Sequence, residues 1–223
     1  MIKVSFFILL LVTNTCLGQT KKLLFEDNFS KEKLDSNWIV ETTAVKGSSI
    51  SIQKGKLILD TENGVTLWYK QPLSGNLQIE FTRKVIMDSG RNDRLSDLNQ
   101  FWMATDPQQK MFSRHGGFKE YDSLQMYYVG MGGNYNTTTR MRRYNGNGEL
   151  KIVGEFKDSV HLLQANKTYH IKIIVQNGTS KFFVDNILFF EFTDPNPFTK
   201  GWFAIRSTKS RQEIDEVKIW GLE

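Results

Sequence analysis

A period-two alternation of polar and apolar residues, broken by short turns, most constrains what this chain can fold into. After Lys21, almost every segment alternates in this way or is a short apolar run bounded by Gly, Asn, Asp or Ser. Successive side chains of a strand point to opposite faces of a sheet, so the pattern predicts strands, and no stretch has convincing helical periodicity. We predict fourteen strands, at residues 23–27, 38–41, 49–53, 56–60, 66–69, 77–87, 99–105, 124–129, 138–144, 169–176, 181–184, 187–192, 201–207 and 213–220.

Many short strands joined by tight turns are typical of a β-sandwich. The turns Asn177-Gly178 and Asp185-Asn186 carry residues that tolerate positive φ, so we predict hairpins there. The longest irregular segments, residues 88–98 and 106–122, are expected to be functional or mobile loops. No repeat or linker marks a second domain. The chain is therefore predicted to be all-β, with two antiparallel sheets in a single domain.

The N-terminus has the pattern of a signal peptide. Lys3 precedes an apolar run at residues 4–12, which is too short to span a bilayer as a helix. Cleavage is predicted after Gly18, which makes residues 1–18 a signal peptide and residues 19–223 the mature domain. The chain's one cysteine, Cys16, would be lost, so neither disulfides nor thiol catalysis is expected. The predicted location is secreted or periplasmic.

The charge of the chain is mildly basic. It has 29 Lys and Arg against 24 Asp and Glu, a net charge of +5 that falls to +4 once Lys3 is removed with the signal peptide. No block of like charge is present, so we predict no nucleic-acid partner. No other apolar stretch is long enough to span a membrane, so we predict no membrane association. A monomer or a dimer is expected. The small excess of positive charge would favour an anionic ligand if it were concentrated at one site.

Both ends of the predicted domain carry motifs of a known fold. The motifs are Phe25-Glu26-Asp27-Asn28-Phe29 with Leu34-Asp35-Ser36-Asn37-Trp38, and Gly201-Trp202-Phe203-Ala204-Ile205-Arg206 with Ile214-Asp215-Glu216-Val217. They resemble the ends of many secreted concanavalin-like jelly rolls, so the resemblance implies a concanavalin A-like jelly-roll β-sandwich.

Further motifs lie in the middle of the chain: Asp97-Leu98-Asn99-Gln100-Phe101-Trp102-Met103-Ala104-Thr105-Asp106-Pro107, Tyr121-Asp122, Tyr127-Tyr128-Val129-Gly130, Gly132-Gly133-Asn134 and Asn136-Thr137-Thr138-Thr139-Arg140-Met141-Arg142-Arg143-Tyr144. They resemble a family of secreted bacterial proteins, related to the YesU-like group, that accompanies polysaccharide-degrading systems. The resemblance implies polysaccharide utilisation. One branch resembles an ulvan-oligosaccharide dehydratase, which implies elimination chemistry on a uronic-acid-containing glycan. The family's catalytic residues are not matched to this chain.

Two common catalytic patterns are missing from the sequence. The Glu-x-Asp-x-x-Glu strand of retaining glycosidases is absent, and its nearest imitation, Glu213-Ile214-Asp215-Glu216, is read as solvated carboxylates. The histidines His115, His161 and His170 are far apart, so no transition-metal site is predicted. We predict no cofactor, although a structural calcium ion bound through loop oxygens stays open.

Cationic and phenolic residues are dense between residues 114 and 144, as expected for a site that holds an acidic poly- or oligosaccharide. Elimination beside a uronate needs a cation to neutralise the carboxylate, a base for the adjacent proton and an acid for the departing oxygen. Alternation in the strand at residues 138–144 places Arg140, Arg142 and Tyr144 on one face. If the apolar residues face the core, Tyr127 shares that open face. The alternative is an ordinary solvated strand face.

The predicted site follows from these arguments. In the strand that contains Asn99 and Trp102, both alternate sets of residues mix polar and apolar side chains, so alternation does not show which set faces the core. Trp102 is therefore either a sugar-stacking platform or, more commonly in sandwiches, part of the core. His115 lies in a loop, where its imidazole could act as a base, or it is an exposed histidine without a role. The candidate catalytic residues are His115, Tyr127 and Tyr121, and the candidate substrate-binding residues are Asn99, Trp102, Arg114, Asn134, Arg140, Arg142, Arg143 and Tyr144.

Three functions are compatible with the sequence. The first is a carbon-oxygen lyase, either a polysaccharide lyase or an oligosaccharide dehydratase. The second is a non-catalytic glycan-binding module. The third is a glycoside hydrolase whose carboxylates come from Asp97, Asp106, Glu120 and Asp122.

The signal peptide generates the first testable prediction. Exported protein should begin close to Gln19 and contain no thiol, because the apolar run at residues 4–12 directs cleavage after Gly18. N-terminal sequencing and a thiol assay measure both properties. Retention of Met1, or a lipid attached to Cys16, would contradict the prediction.

Overall fold

The computed structural model describes residues 20–223, and the predicted signal peptide with Cys16 lies outside them. The described residues form fourteen strands, all paired antiparallel. None of their helical segments is long and apolar enough to cross a membrane. The strands are β1 (Lys21–Asp27), β2 (Trp38–Thr42), β3 (Ser49–Gln53), β4 (Lys56–Tyr69), β5 (Leu73–Ser74), β6 (Leu77–Val85), β7 (Leu98–Thr105), β8 (Gln125–Gly132), β9 (Thr138–Asn145), β10 (Leu150–Phe156), β11 (Thr168–Gln176), β12 (Thr179–Val184), β13 (Ile187–Thr193) and β14 (Lys200–Leu222).

Strand β14 connects two layers of the sandwich. Its first half pairs with β7, which continues outward through β8, β9 and β10. Its second half pairs with β6, which continues through β11, β12 and β13. The pairing of β14 with β4 shifts register between Thr208 and Ser210, where Lys209 has a φ of 44°. A bulge of this kind bends a strand, so β14 can pass from one layer to the other.

The main core lies between the two layers. It contains Val129 and Met141 of the first layer and Ile171 and Phe182 of the second, all fully buried. Trp102 belongs to this core: it is 1 % exposed, and its ring centroid lies 6.5 Å from that of Phe182 in a stacked arrangement. Its indole donates a hydrogen bond to Ser180 Oγ over 3.1 Å. Trp102 is therefore a core residue and not a sugar-stacking platform.

A second apolar cluster covers part of the outer face of the first layer. Trp68, Phe101, Met126 and Tyr128 project from strands into this cluster. The loop at residues 106–124 covers it and contributes Tyr121, whose ring centroid lies 5.5 Å from that of Phe101. The first layer is thus apolar on both faces, which strand alternation alone does not predict.

The predicted strands agree with the structure except at four places. The predicted strands at residues 56–60 and 66–69 are one strand, β4, and those at 201–207 and 213–220 are one strand, β14. Turn-forming residues in the bends, such as Asn63 and Gly64, look like strand breaks in the sequence. Strands β5 and β10 were not predicted. β10 is an edge strand with mostly exposed residues, so its apolar alternation is weak.

The position of Trp102 generates a stability prediction. Trp102→Ala should lower the free energy of unfolding by about 3–5 kcal/mol, because it removes a large side chain from a closed core and leaves a cavity. Urea unfolding followed by circular dichroism measures this difference. Trp220→Ala is the control, since Trp220 is only half-buried at the end of β14, and it should cost clearly less. Equal losses for the two variants would contradict this account of the core.

Candidate functional site

A pocket opens on the outer face of the first layer, next to the loop-covered cluster. We call it the arginine pocket, and its volume is about 290 Å³. It is bounded by strands β8, β9 and β14, by the loop before β7, by Phe118 of the covering loop and by the turn Gly133–Asn136. The side chains that matter for its chemistry are those of Arg94, Asp97, Phe118, Tyr128, Tyr135, Arg140, Arg142 and Arg206.

Two of the arginines, Arg142 and Arg206, have no carboxylate partner within residues 20–223. Arg142 extends from β9 and donates one hydrogen bond, to the hydroxyl of Tyr144 over 3.4 Å. Arg206 extends from β14 and is only 1 % exposed. It donates to Thr208 Oγ1 over 2.6 Å and to the carbonyl of Gly116 over 2.9 Å. Burial lowers the pKa of Arg206 from its ordinary value.

Phe118 holds both unpaired guanidinium groups against the loop. The guanidinium carbon of Arg206 lies 4.9 Å from the centroid of the Phe118 ring, and that of Arg142 lies 6.0 Å away. Cations are attracted to the faces of aromatic rings at these distances. The Nε atoms of both arginines are buried without a hydrogen-bond partner in the described chain. Both cations therefore contact the same aromatic ring and line the same pocket, and each has an Nε–H without a hydrogen-bond acceptor among the described residues.

Tyr128 of β8 lies beside these cations. Its ring centroid is 5.1 Å from the guanidinium carbon of Arg142, and its hydroxyl donates to Asn99 Oδ1 over 3.0 Å. A Cβ at position 130 would lie 2.2 Å from the Tyr128 hydroxyl, so Gly130 is required to make room for this side chain. Burial raises the pKa of the Tyr128 phenol above its ordinary value.

Arg83 supports the pocket from the core side. It is 1 % exposed and donates to the carbonyl of Asn99 over 2.6 Å and to that of Arg206 over 3.2 Å. Asn99 and Arg206 are register partners on β7 and β14, so a single guanidinium group braces both strands beneath the pocket. Burial lowers the pKa of Arg83 to about 9.

The other two arginines of the pocket are paired. Arg94 forms an ion pair with Asp97, whose carboxylate also accepts a hydrogen bond from Ser96 Oγ over 2.9 Å. Arg140 forms an ion pair with Glu155 of β10. Asp97 is thus the carboxylate that lines the pocket. Across residues 20–223, no group of three or more His, Cys, Asp or Glu converges as a metal site would require.

Tyr127 does not share the open face with Arg140 and Arg142, so the predicted orientation of Tyr127 is wrong. It points into the main core, where its hydroxyl donates to Asp194 Oδ2 over 2.7 Å. Arg143 also points this way and pairs with Asp194 over 2.6 Å. Burial acts to raise the pKa of Asp194, but hydrogen bonds from Arg143 and Tyr127 lower it below its ordinary value. Tyr127 and Arg143 therefore fasten the segment before β14 and do not line the arginine pocket.

Tyr121 and Arg114 hold the covering loop in place. The Tyr121 hydroxyl donates to Glu41 Oε2 over 2.9 Å, and burial raises the pKa of this phenol. Glu41 also accepts from Trp68 Nε1 over 2.7 Å and from the backbone N–H of Arg114 over 2.8 Å. The Arg114 side chain pairs with Asp106 over 2.7 Å. These contacts bury the polar groups of Tyr121 and Arg114 within the loop, away from the pocket.

The remaining predicted residues fall in different places. His115 is exposed on the covering loop and does not line the pocket, and its backbone carbonyl accepts from Thr43 Oγ1 over 3.1 Å. Asn99 is buried behind Tyr128 and positions its hydroxyl. Tyr144 is buried below Arg142, and Asn134 is exposed at the pocket edge. The structure therefore brings together Arg140, Arg142, Asn134, Tyr144 and Asn99, and separates them from His115.

Sequence reasoning missed Arg206, Phe118 and Tyr135. Arg206 follows the apolar run Phe203-Ala204-Ile205 in a strand that is buried on both faces. A charged residue within such a run is a signal of a functional or specially supported position, because charged groups are rarely buried without a partner. Phe118 and Tyr135 lie in irregular segments, where the sequence carries no comparable signal.

Together, the fold and the pocket define a galectin-like, concanavalin-like jelly roll with a cationic site on the outer face of one layer. The chain belongs to the DUF6250 family, described as a domain of unknown function, whose model matches residues 59–217. No curated protein matches the chain in sequence.

Solved structures with the same fold are similar to this chain at low sequence identity. A protein of unknown function with a galectin-like fold from Bacillus subtilis has a TM-score of 0.74 at 14 % identity, covering 92 % of this chain and 99 % of that one. An endo-β-1,3-glucanase from Pyrococcus furiosus has a TM-score of 0.65 at 11 % identity, with coverages of 92 % and 96 %. The carbohydrate-binding module CBM66 from Bacillus subtilis has a TM-score of 0.60 at 12 % identity, with coverages of 83 % and 96 %. These similarities establish the jelly-roll fold.

The Glu41 contacts generate a prediction about the covering loop. Glu41→Ala should lower the free energy of unfolding by about 3 kcal/mol or more, because each buried donor left without an acceptor costs about 1–3 kcal/mol. It should also speed proteolysis within residues 106–124. Urea unfolding and limited proteolysis measure the two effects. Glu191→Ala, which removes the exposed partner of Lys181, is the control and should change stability by less than about 1 kcal/mol. Wild-type stability in Glu41→Ala would show that the loop is held by other contacts.

Proposed function

We propose that the arginine pocket binds an acidic glycan and that the protein acts on it by elimination, as a polysaccharide lyase or an oligosaccharide dehydratase. The glucanase and the carbohydrate-binding module that share the fold support the carbohydrate part of the proposal. The predicted signal peptide supports a secreted or periplasmic location, where such glycans are met. The chemistry of the pocket supports the acidic part.

The observation that carries the proposal is the pair of guanidinium groups of Arg142 and Arg206, which line one pocket without a carboxylate partner in the described residues. A buried cation without a partner is costly, since desolvation removes the water that stabilised it. A bound anion would supply the missing charge and accept charge-assisted hydrogen bonds. The planar carboxylate of a uronic acid matches the fork of a guanidinium group.

The residues around the pair can perform elimination. In this mechanism, Arg142 and Arg206 hold the uronate carboxylate and stabilise the negative charge that develops on it. Asp97, whose charge is offset by Arg94, takes the proton from C5. The C4–O4 bond breaks, a C4–C5 double bond forms, and Tyr128 gives its phenolic proton to the departing oxygen. Solvent then returns the proton from Asp97 to the Tyr128 phenolate.

The structure favours this mechanism over the other two hypotheses for a specific reason in each case. A glycoside hydrolase needs two carboxyl groups that face the scissile bond, and Asp97 is the carboxylate that lines the pocket. Asp106 is paired with Arg114, Glu120 accepts from the backbone N–H of His115 over 2.6 Å, and Asp122 does not line the pocket. A module that only binds would need no proton donor beside the cations, whereas Tyr128 lies there.

The binding part is tested with Arg142→Ala. Its affinity for an oligouronate should fall by about 1.5–3 kcal/mol, the range of charge-assisted hydrogen bonds, because one of the two cations is removed. Isothermal titration calorimetry measures the affinity, and thermal unfolding should be nearly unchanged. Lys181→Ala removes the same charge from the second layer and should bind like wild type. Equal affinity of Arg142→Ala and wild type would refute the role of the pocket.

The catalytic part is tested with Tyr128→Phe and the neighbouring Tyr127→Phe. Tyr128→Phe should abolish turnover and keep affinity within about threefold, because it removes the proton donor and leaves the ring in place. Tyr127→Phe should keep turnover and lose stability, since Tyr127 bonds to Asp194 in the core. Ultraviolet absorbance of the new double bond measures turnover, and mass spectrometry separates loss of water from chain cleavage. Binding without absorbance in wild type would indicate a glycan-binding module, and a new reducing end without absorbance a hydrolase.

A further inference from the structure

The turn Gly133–Asn136 holds an aromatic residue in an unusual state at the pocket edge. Tyr135 is 78 % exposed, although it lines the arginine pocket. Its backbone is left-handed, with φ 57° and ψ 47°, and both neighbouring residues, Asn134 and Asn136, also have positive φ. Asparagine tolerates this conformation, but it is rare and strained for a bulky residue such as tyrosine. Tyr135 therefore has a strained backbone without the compensation of burying its ring.

The turn is anchored firmly, which keeps the ring in position. The Asn136 amide donates to the carbonyl of Leu163 over 2.9 Å and accepts from the backbone N–H of Leu163 over 2.8 Å. Thr137 Oγ1 donates to the carbonyl of Asn134 over 2.8 Å. Leu163 is itself buried in the main core. The turn is thus tied on one side to the core while it presents Tyr135 to solvent.

A cation–π contact places the Tyr135 ring beside Arg94, which also lines the pocket. The guanidinium carbon of Arg94 lies 5.3 Å from the centroid of the Tyr135 ring. Arg94 is in turn held by Asp97 and by the carbonyls of Thr208 and Lys209, the latter over 2.9 Å. A flat apolar surface with a polar hydroxyl is therefore held at the edge of a cationic pocket. Such a surface suits a ligand that has both an apolar face and polar edges.

We propose that Tyr135 is a stacking platform for the sugar ring adjacent to the one whose acidic group is held by Arg142 and Arg206. This inference rests on the proposed binding of a glycan in the arginine pocket and adds a second subsite to it. The pyranose ring presents C–H groups on its face and hydroxyls at its edge, which matches an exposed tyrosine. Tyr135 would thus select for chains of two or more sugars over a single uronate.

The test compares Tyr135→Gly and Tyr135→Phe with wild type on uronate ligands from one to four sugars long. Tyr135→Gly removes the ring and fits the left-handed backbone, whereas Tyr135→Phe keeps the ring. Calorimetry should show that Tyr135→Gly binds the tetramer about five- to tenfold more weakly, the effect of losing one aromatic contact. It should bind the monomer like wild type. Tyr135→Phe should bind both ligands within about twofold of wild type.

Stability separates a binding role from a structural one. Tyr135→Gly should melt at the wild-type temperature or about 2–4 °C above it, because glycine adopts positive φ without strain. Val160→Ala trims another side chain that is 72 % exposed and should change neither affinity nor melting temperature. A large fall in the melting temperature of Tyr135→Gly would show that the ring is structural and overturn the inference.

Neutral β-glucan oligomers of the same lengths separate this inference from the proposed function. Equal binding of every uronate length by wild type and Tyr135→Gly overturns the stacking role and leaves the acidic pocket standing. Binding of neutral oligomers in a Tyr135-dependent manner, without binding of uronates, supports the platform and overturns the acidic specificity. Failure of wild type to bind either series overturns both.

Discussion

The hydrogen bonds of β14 are the interaction on which the rest of the structure depends. This strand pairs with β7, β4 and β5 in its first half and with β6, β4 and β1 in its second half, so both layers of the sandwich are built on it. Its bend at Lys209 places Arg206 in the first layer beside β7. The pocket therefore lies where the central strand is held on both edges, and its arginines are supported by a rigid backbone.

Two buried guanidinium groups, those of Arg83 and Arg206, lie on either side of the β7–β14 pair without a carboxylate partner in the described chain. Their hydrogen bonds to backbone carbonyls offset part of the cost of desolvation, and burial lowers the pKa of both. Apolar residues at these two positions would avoid the desolvation cost of a buried charge and would stabilise the fold more. Groups that reduce stability are commonly retained for function, and here Arg206 contributes a positive charge to the pocket on the outer face. Arg83 provides support, and Arg206 lines the pocket.

The candidate site could be predicted in part. Alternation along β9 correctly grouped Arg140, Arg142 and Tyr144, because a strand has only two faces and Met141 is apolar. The same argument failed on β8, where both Tyr127 and Tyr128 are buried. It assumed that one face of the sheet is solvated, but the covering loop makes both faces apolar. The choice between two adjacent tyrosines therefore depended on how the covering loop packs on β8, which the sequence pattern alone did not show.

What the sequence by itself determined is the class of fold, the antiparallel strands, the hairpins near Asn177 and Asp185, and the cationic middle region, because these follow from local alternation and turn residues. Only the tertiary structure decided which side chains meet. Arg206 and Arg142 both approach Phe118 through strand pairing and loop packing between distant segments, and Tyr135 reaches the pocket through a turn anchored at Leu163. Contacts of this kind depend on long-range register and loop placement, which no local pattern encodes.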